Sequence, residues 1–408
     1  MSRLECLKNT EARRLKTRRA VATSSFVIRA SLDIRESVIR HSPSLLFVYL
    51  SLVAGSCLAA EPLVRREFRE PHMGTQFRIV LYTADESTAN AASRAAFDRI
   101  ARLDAMLSDY RDDSELMRLC QQAGGPAVPV SDELFRVLAA SQSLAKRTDG
   151  AFDVTVGPVV RLWRRARRLH QLPDPNRLAE ARALVGHELI RLEVQKGVGY
   201  RCAKHPAVRS GNDTRPLFEP SVQLLKPGMR LDLGGIAKGF AADEAIAVLE
   251  RHGVSRALVA AGGDIVVSDP PPGECGWIIA IASPDPDRKN PNSGPPAPNP
   301  LLLLHNAAVS TSGDTEQFVE IAGKRYSHIV DPRTGIGLTD RLQVTVIAPT
   351  GTASDSLATA VSVLGPDSGL RLIDSIPGTA ALIVRVGEQG HEHRESRLFR
   401  NLQQAKPK

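Results

Sequence analysis

The sequence predicts an α+β fold: a two-lobed single domain with mixed, largely antiparallel sheets flanked by helices. Three observations predict it. The 408 residues are 42% hydrophobic but only 4% aromatic, enough for a large and mainly aliphatic core. Helical periodicity marks several well-separated runs, among them 87–107 and 131–149. Strand-like runs follow one another directly over residues 301–348. The chain divides into a basic extension with a signal-like segment (1–60), the domain proper (61–390) and a polar tail (391–408).

Taken in order, 68–82 reads as strand, turn and strand, with His72-Met-Gly-Thr75 as the turn. Residues 87–107 form a helix with Phe97, Ile100, Leu103 and Leu107 near helical spacing, ending in the polar turn 108–116. Ser131 caps the next helix, whose apolar face is Leu134, Val137, Leu138, Leu144 and Ala145. Asp174-Pro175 opens a helix closed by Gly186. Residues 187–230 read as strands around a polar insertion at 207–220. A strand end at Leu231 leads through Gly234 and Gly235 into a helix that stops at Gly253. Strands are expected at 256–261, 277–281, 301–304, 316–321, 325–330, 342–348 and 379–386. A helix opens at Thr352 and ends at Gly365, residues 284–300 form a proline-rich surface loop, and the chain past Gly387 frays.

The net charge of +8 is unevenly spread, for residues 1–44 carry ten Lys/Arg against four Asp/Glu. The remainder is near +2 with no basic, aromatic-interleaved stripe, so nucleic acid is not an expected partner. The five cysteines show no zinc-like spacing and imply no disulfide framework. The apolar run 44–60 is too short for a comfortable span and fits the core and cleavage region of a secretory signal. Cleavage near Ala59 or Ala60 would free a soluble protein. Alternatively, Ala54-Gly-Ser-Cys57 is an imperfect lipoprotein box with Cys57 as lipid anchor. A start near Val38 would give the signal an ordinary length.

Four polar clusters carry chemistry. In Leu231-Asp-Leu-Gly-Gly-Ile-Ala-Lys-Gly-Phe-Ala-Ala-Asp243, two glycines let the backbone turn and approach a ligand, and Lys238 falls in a first helical turn, where an anion is favoured. Ser310-Thr-Ser-Gly-Asp314 offers hydroxyls and backbone donors suited to phosphate, or an ordinary hairpin turn. In Tyr326-Ser-His-Ile-Val-Asp-Pro-Arg-Thr-Gly335, His328 precedes the turn-forming Asp331 by three residues. In Thr352-Ala-Ser-Asp-Ser-Leu-Ala-Thr359, Asp355 and Thr359 share a helix face and could give two oxygens to a hard cation. The same pattern suits a capped amphipathic helix.

The order of these stretches, with 107–116, Gly150-Ala-Phe-Asp-Val-Thr-Val-Gly-Pro158 with Trp163, and Ala261-Gly-Gly-Asp264, resembles the FAD:protein FMN transferase (ApbE-type) family over about 65–386. The resemblance implies Mg²⁺-dependent transfer of the FMN half of FAD to a threonine or serine hydroxyl of an acceptor protein, with AMP leaving. It implies Asp355, Thr359 and the Ala237 carbonyl as metal ligands, and Lys238 neutralising pyrophosphate. Thr311, Ser312 and Gly313 would lie along the phosphates and ribityl chain, with Met73, Tyr110, Asp153 and Asp264 against flavin or adenosine. His328 and Asp331 would stand near the reacting phosphate, His328 as base. It further implies export to the periplasmic side of the inner membrane, lipid-anchored or soluble, and an acceptor flavoprotein with a flavinylation motif, a membrane redox subunit. An FAD pyrophosphatase and a non-catalytic flavin-binding lipoprotein use the same residues. Val154, Cys120 and Gly337 depart from the family's usual proline, asparagine and proline.

Overall fold

Strands β1 (Val64–His72) and β2 (Thr75–Thr83) pair as a hairpin in register from Val64–Thr83 to His72–Thr75. Met73 and Gly74 at its tip both have positive φ, 49° and 71°, the backbone of a primed two-residue turn. Methionine adopts that conformation unwillingly, and here Asp104 Oδ2 accepts its N–H at 2.9 Å. The structure is a computed structural model that describes residues 62–196, 218–281, 300–313, 317–387 and 390–402. The signal-like segment with Cys57, most of the insertion at 207–220, residues 284–299 of the proline-rich loop and Asp314 lie outside the described residues.

Helix α1 (Glu86–Leu107) is opened by Asp85, whose side chain accepts from the Ser87 and Thr88 N–H groups. A short α2 (Glu115–Gln121), capped by Ser114, follows the polar turn. Next come β3 (Val128–Pro129) and α3 (Asp132–Arg147), capped by Ser131 as its sequence predicts. A 3-10 turn at Val154–Val156 leads into α4 (Gly157–Leu169), and α5 (Pro175–Arg182) precedes β4 (Ile190–Lys196) and β5 (Phe218–Leu224). Helix α6 (Ala237–Arg251) is followed by β6 (Ala257–Ala261), β7 (Asp264–Val267), β8 (Trp277–Ala280), β9 (Leu301–Leu304) and β10 (Ala307–Gly313). Then come β11 (Phe318–Ile321), β12 (Lys324–Ser327), β13 (Val330–Asp331), β14 (Ile336–Gly337) and β15 (Leu342–Ala348). The chain closes with α7 (Gly351–Asp374), β16 (Ala380–Gly387), β17 (Gly390–Glu395) and α8 (Arg397–Arg400).

The main sheet runs β1-β2-β6-β7-β10-β15-β16-β17. Every strand pairing among the described residues is antiparallel. Side chains alternate across it. Phe77, Ile79, Leu81, Val344 and Val346 pack with apolar residues of α1, α6 and α7 on one face. Val80, Val309, Ile347 and Leu382 pack on the other with Trp277 and Ile279 of β8, Leu302 and Leu304 of β9, and Phe399 of α8. Both faces are covered, so β15 is buried along its whole length. A smaller core of Val159, Trp163, Ala166, Ala181, Val319, Tyr326 and Val330 joins α4 and α5 to the β11–β12 and β13–β14 hairpins, forming the second lobe. The chain from Val64 onward groups as one unit. No helix among the described residues is long and apolar enough to cross a membrane.

Four expectations are corrected and one helix end is borne out. Residues 229–233 form no strand; they cross as an irregular segment into the glycine loop. Ser310–Gly313 is no turn but the end of β10, paired with β15. The helix opened at 351 breaks at Gly365 as its sequence predicts, where the backbone is non-helical at φ 73°, and Pro366 starts a second helical segment beyond the kink. The tail after Gly387 pairs with β16 as the edge strand and ends in α8, with Phe399 buried. Cys275 is disulfide-bonded, against the expectation drawn from wide and odd cysteine spacing.

Candidate active site

The first N–H groups of α6 have no side-chain cap from Ile236, so an acceptor must come from elsewhere. It comes from α7: Gly239 N–H donates to Asp355 Oδ2 at 3.1 Å. Helix α6 reciprocates. Asp243 Oδ1 accepts the Gly351 N–H at 2.6 Å, and Oδ2 accepts the Thr352 N–H at 2.9 Å and the Thr352 hydroxyl at 2.6 Å. Each helix therefore carries the carboxylate that serves the start of the other. The backbones come this close because glycines face each other. A Cβ on Gly239 would stand 2.1 Å from Gly351 O. Asp355, which the sequence offered as a cation ligand or as a charge on its own helix start, accepts from the start of α6.

Beside this contact, Lys238 is ion-paired with Asp264, the first residue of β7, whose side chain is only 4% exposed. Burial alone would lower the Lys238 ammonium; Asp355, then Asp264, outweigh it and hold it above its ordinary range. Burial, then Asp264, pushes Asp355 up to about 7, against the pull of Lys238 and the Gly239 N–H. One ammonium thus faces two buried carboxylates, and the cluster has room electrostatically for a proton or a cation. Thr359 adds a hydroxyl. A Cβ on Gly235 would stand 2.8 Å from Thr359 Oγ1, so Gly235 is required for close approach, not for a left-handed backbone. No group of three or more His, Cys, Asp or Glu converges among the described residues. The donors on offer are oxygens (Asp355, Asp264, Thr359), the set a hard divalent cation takes while keeping water and substrate ligands.

These groups form the floor of a cleft of about 380 Å³ between the lobes. Met73, Tyr110, Asp153, Lys238, Asp264, Thr311, Ser312, Gly313, His328, Asp355 and Thr359 all line it. Thr311 is held by its neighbours: its N–H donates to Gly263 O at 3.0 Å, and its Oγ1 lies 2.9 Å from that of Thr345. Asp153 Oδ1 accepts from the Thr155 N–H at 2.9 Å and hydroxyl at 2.7 Å, and burial pushes its carboxyl up. His328 Nδ1 lies 3.1 Å from Gln317 O; a carbonyl only accepts, so Nδ1 carries a proton.

Two expected residues are absent from the wall. Asp331 turns its carboxylate to Arg333, accepting from Nε at 3.0 Å and Nη2 at 2.9 Å. Ala237 is buried beside Lys238 and does not line the cleft. Val154 lines it, whereas Cys120 does not: its Sγ accepts the Leu231 N–H at 3.3 Å, and burial pushes the thiol up. A Cβ at position 337 would meet Ser327 O at 2.9 Å, which accounts for Gly337.

Sequence reading missed the basic wall. Arg164 is ion-paired with both Asp109 and Asp232, the latter at 2.8 Å, and its guanidinium lies 4.3 Å from the Tyr110 ring. Asp232 Oδ1 in turn accepts the Gly234 N–H at 2.8 Å, so Arg164 ties the 108–113 turn to the glycine loop. Arg167 also lines the cleft; burial, and then Arg164, lower its guanidinium. The arginine spacing within 161–168 was the available signal.

An oxygen-rich floor beneath an arginine-bearing wall, in a cleft between two lobes, defines the class of site a flavin transferase fold presents. Residues 73–383 match the ApbE family, and the chain belongs to it. A FAD:protein FMN transferase of Treponema pallidum (strain Nichols) is 32% identical over 340 residues, 81% of this chain and 87% of the relative. One of Klebsiella pneumoniae (strain 342) is 31% identical over 319 residues, 78% of this chain and 83% of the relative. Among solved structures, the Pseudomonas stutzeri flavinyl transferase ApbE superposes with a TM-score of 0.68 at 28% identity, covering 85% of this chain and 99% of the other.

Proposed function

We propose that this chain is an FAD:protein FMN transferase that moves the FMN half of FAD to a threonine or serine hydroxyl of an acceptor flavoprotein and releases AMP. The observation that carries the reading is the buried Lys238–Asp264–Asp355 cluster with Thr359 on the floor of the cleft. Transfer by attack at phosphorus builds negative charge on the phosphoryl and leaving oxygens. Lys238, held charged by its two carboxylates, stands ready to neutralise it. Asp355 and Thr359, with Asp264 beside them, would hold Mg²⁺, which supplies Lewis-acid stabilisation of the same charge when bound. Thr311, Ser312 and Gly313 line the path of the phosphates, and His328 Nε2 is the base that takes the acceptor hydroxyl's proton. Asp331 acts only by shaping the turn behind it.

The apolar run 44–60 supports export to the periplasmic side of the inner membrane, by a cleaved signal or with lipid on Cys57, and the acceptor is then a membrane redox subunit. The test incubates protein from residue 61 onward with FAD and Mg²⁺, with and without an acceptor fragment, following AMP and fragment mass. Fragment gaining the mass of FMN only with Mg²⁺ is the expected result. AMP without labelling would make it a pyrophosphatase, and FAD intact in every tube would make it a flavin carrier.

A further inference from the structure

A second groove opens beside the active-site cleft. It encloses about 730 Å³ and shares Asp109, Tyr110 and Arg164 with the cleft, so the two are adjacent. One wall is the outer face of α4. Val159, Trp163 and Ala166 bury the inner face in the small core, which leaves Arg161, Arg165 and Arg168, at i, i+4 and i+7, together on the outside. Arg177 of α5 and Arg230 complete the lining, against the acids Asp109, Asp112 and Glu180. Asp109 is already paired with Arg164. Arg161, Arg165, Arg168 and Arg177 make no ion pair among the described residues, and all four are exposed. A cluster of like charges on one helix face costs stability through repulsion and has no internal compensation here.

We propose that this groove is the docking site for an acidic segment of the acceptor protein; the proposal rests on the transferase reading above. Open walls of exposed arginines suit an extended chain that enters and leaves with each turnover. Carboxylates of such a segment pair with guanidinium forks. The groove adjoins the cleft along Tyr110 and Arg164, so a chain lying in it passes beside the site where the hydroxyl must arrive. A groove walled by two helices also favours a peptide over a membrane surface, which requires a protruding face.

The experiment measures binding of a fluorescein-labelled Glu-rich decapeptide by anisotropy. It compares the wild type, the groove variant R161E/R165E/R168E, the milder R165Q/R168Q, and R94E/R102E/R251E, which reverses three exposed arginines outside the groove. The wild type and the outside variant bind alike, the groove variant about tenfold or more weaker, and the milder variant between them. FAD binding, read by flavin fluorescence, stays as in the wild type, since none of these side chains lines the cleft, and far-UV circular dichroism shows each variant folded. Equal binding by the groove variant, equal loss in the outside variant, or no binding by the wild type overturns the proposal. So does groove-dependent sedimentation with anionic phosphatidylglycerol vesicles without peptide binding, which would assign the face to a membrane. Failure of the transferase reading shows separately, as wild-type protein that binds peptide but neither binds nor cleaves FAD.

Discussion

The two walls of the cleft are built on opposite principles. On the α6–α7 side, backbones touch through Gly239 and Gly351, carboxylates cap reciprocally, and Lys238 is enclosed by acids. On the α4 side, the adjoining groove carries more arginines than acids, Tyr110 is 77% exposed, and packing rests on a separate small core. The first wall cannot shift without losing hydrogen bonds that burial makes costly. The second is tethered mainly by Arg164 and stays wet. The difference separates tasks: the rigid wall holds the reacting charge in place, and the basic wall receives ligands.

Gly239→Ala should break the comparison most severely, because its Cβ would lie 2.1 Å from a backbone oxygen that no rotamer can move. We expect loss of about 3 kcal/mol or failure to fold, read by urea unfolding. Next is Asp355→Asn, which should keep the fold and lower AMP release about 100-fold. In the wild type Asp355 is raised to about 7 from 3.8. Its contribution to metal-free stability is therefore fully present below pH 3.8 and is lost as pH rises through 7, a slope that denaturation of the Asn variant should lack. Because a metal ligand must be deprotonated, Mg²⁺ affinity by calorimetry should fall about tenfold per pH unit below 7.

On the other wall effects should be smaller. Arg164→Met leaves Asp109 and Asp232 without their shared partner, and Asp232 is already raised by burial and by Asp109. We expect about 2 kcal/mol of destabilisation and a KM for FAD about fivefold higher with kcat little changed. Tyr110→Ala should sharpen the contrast: stability within about 0.5 kcal/mol of wild type, and FAD affinity about threefold weaker in a flavin fluorescence titration. If Tyr110→Ala abolished turnover while Asp355→Asn did not, the division of labour would be reversed.

Much of this protein was written locally. Helix starts at Ser131 and Asp174 depend on side chains reaching N–H groups two or three residues away, so they could be read directly. Eleven of the thirteen expected site residues line one cleft, because motif order marked them before their neighbours in space were known. Short elements were less legible. The seven residues of α2 give too little periodicity, and β17 is polar because one of its faces is open. What only the tertiary structure decided is which partner each charged group takes. Asp355 could serve its own helix or α6, Asp331 could face a phosphate or Arg333, and Arg164 could be a solvated helix charge or a bridge. Sequence spacing determines which face of an element a side chain occupies. Its electrostatic role depends on which charges and dielectric come to surround it, from two residues away for Asp331 to 116 for Asp355, and that arrangement exists only once the two lobes have closed around the cleft.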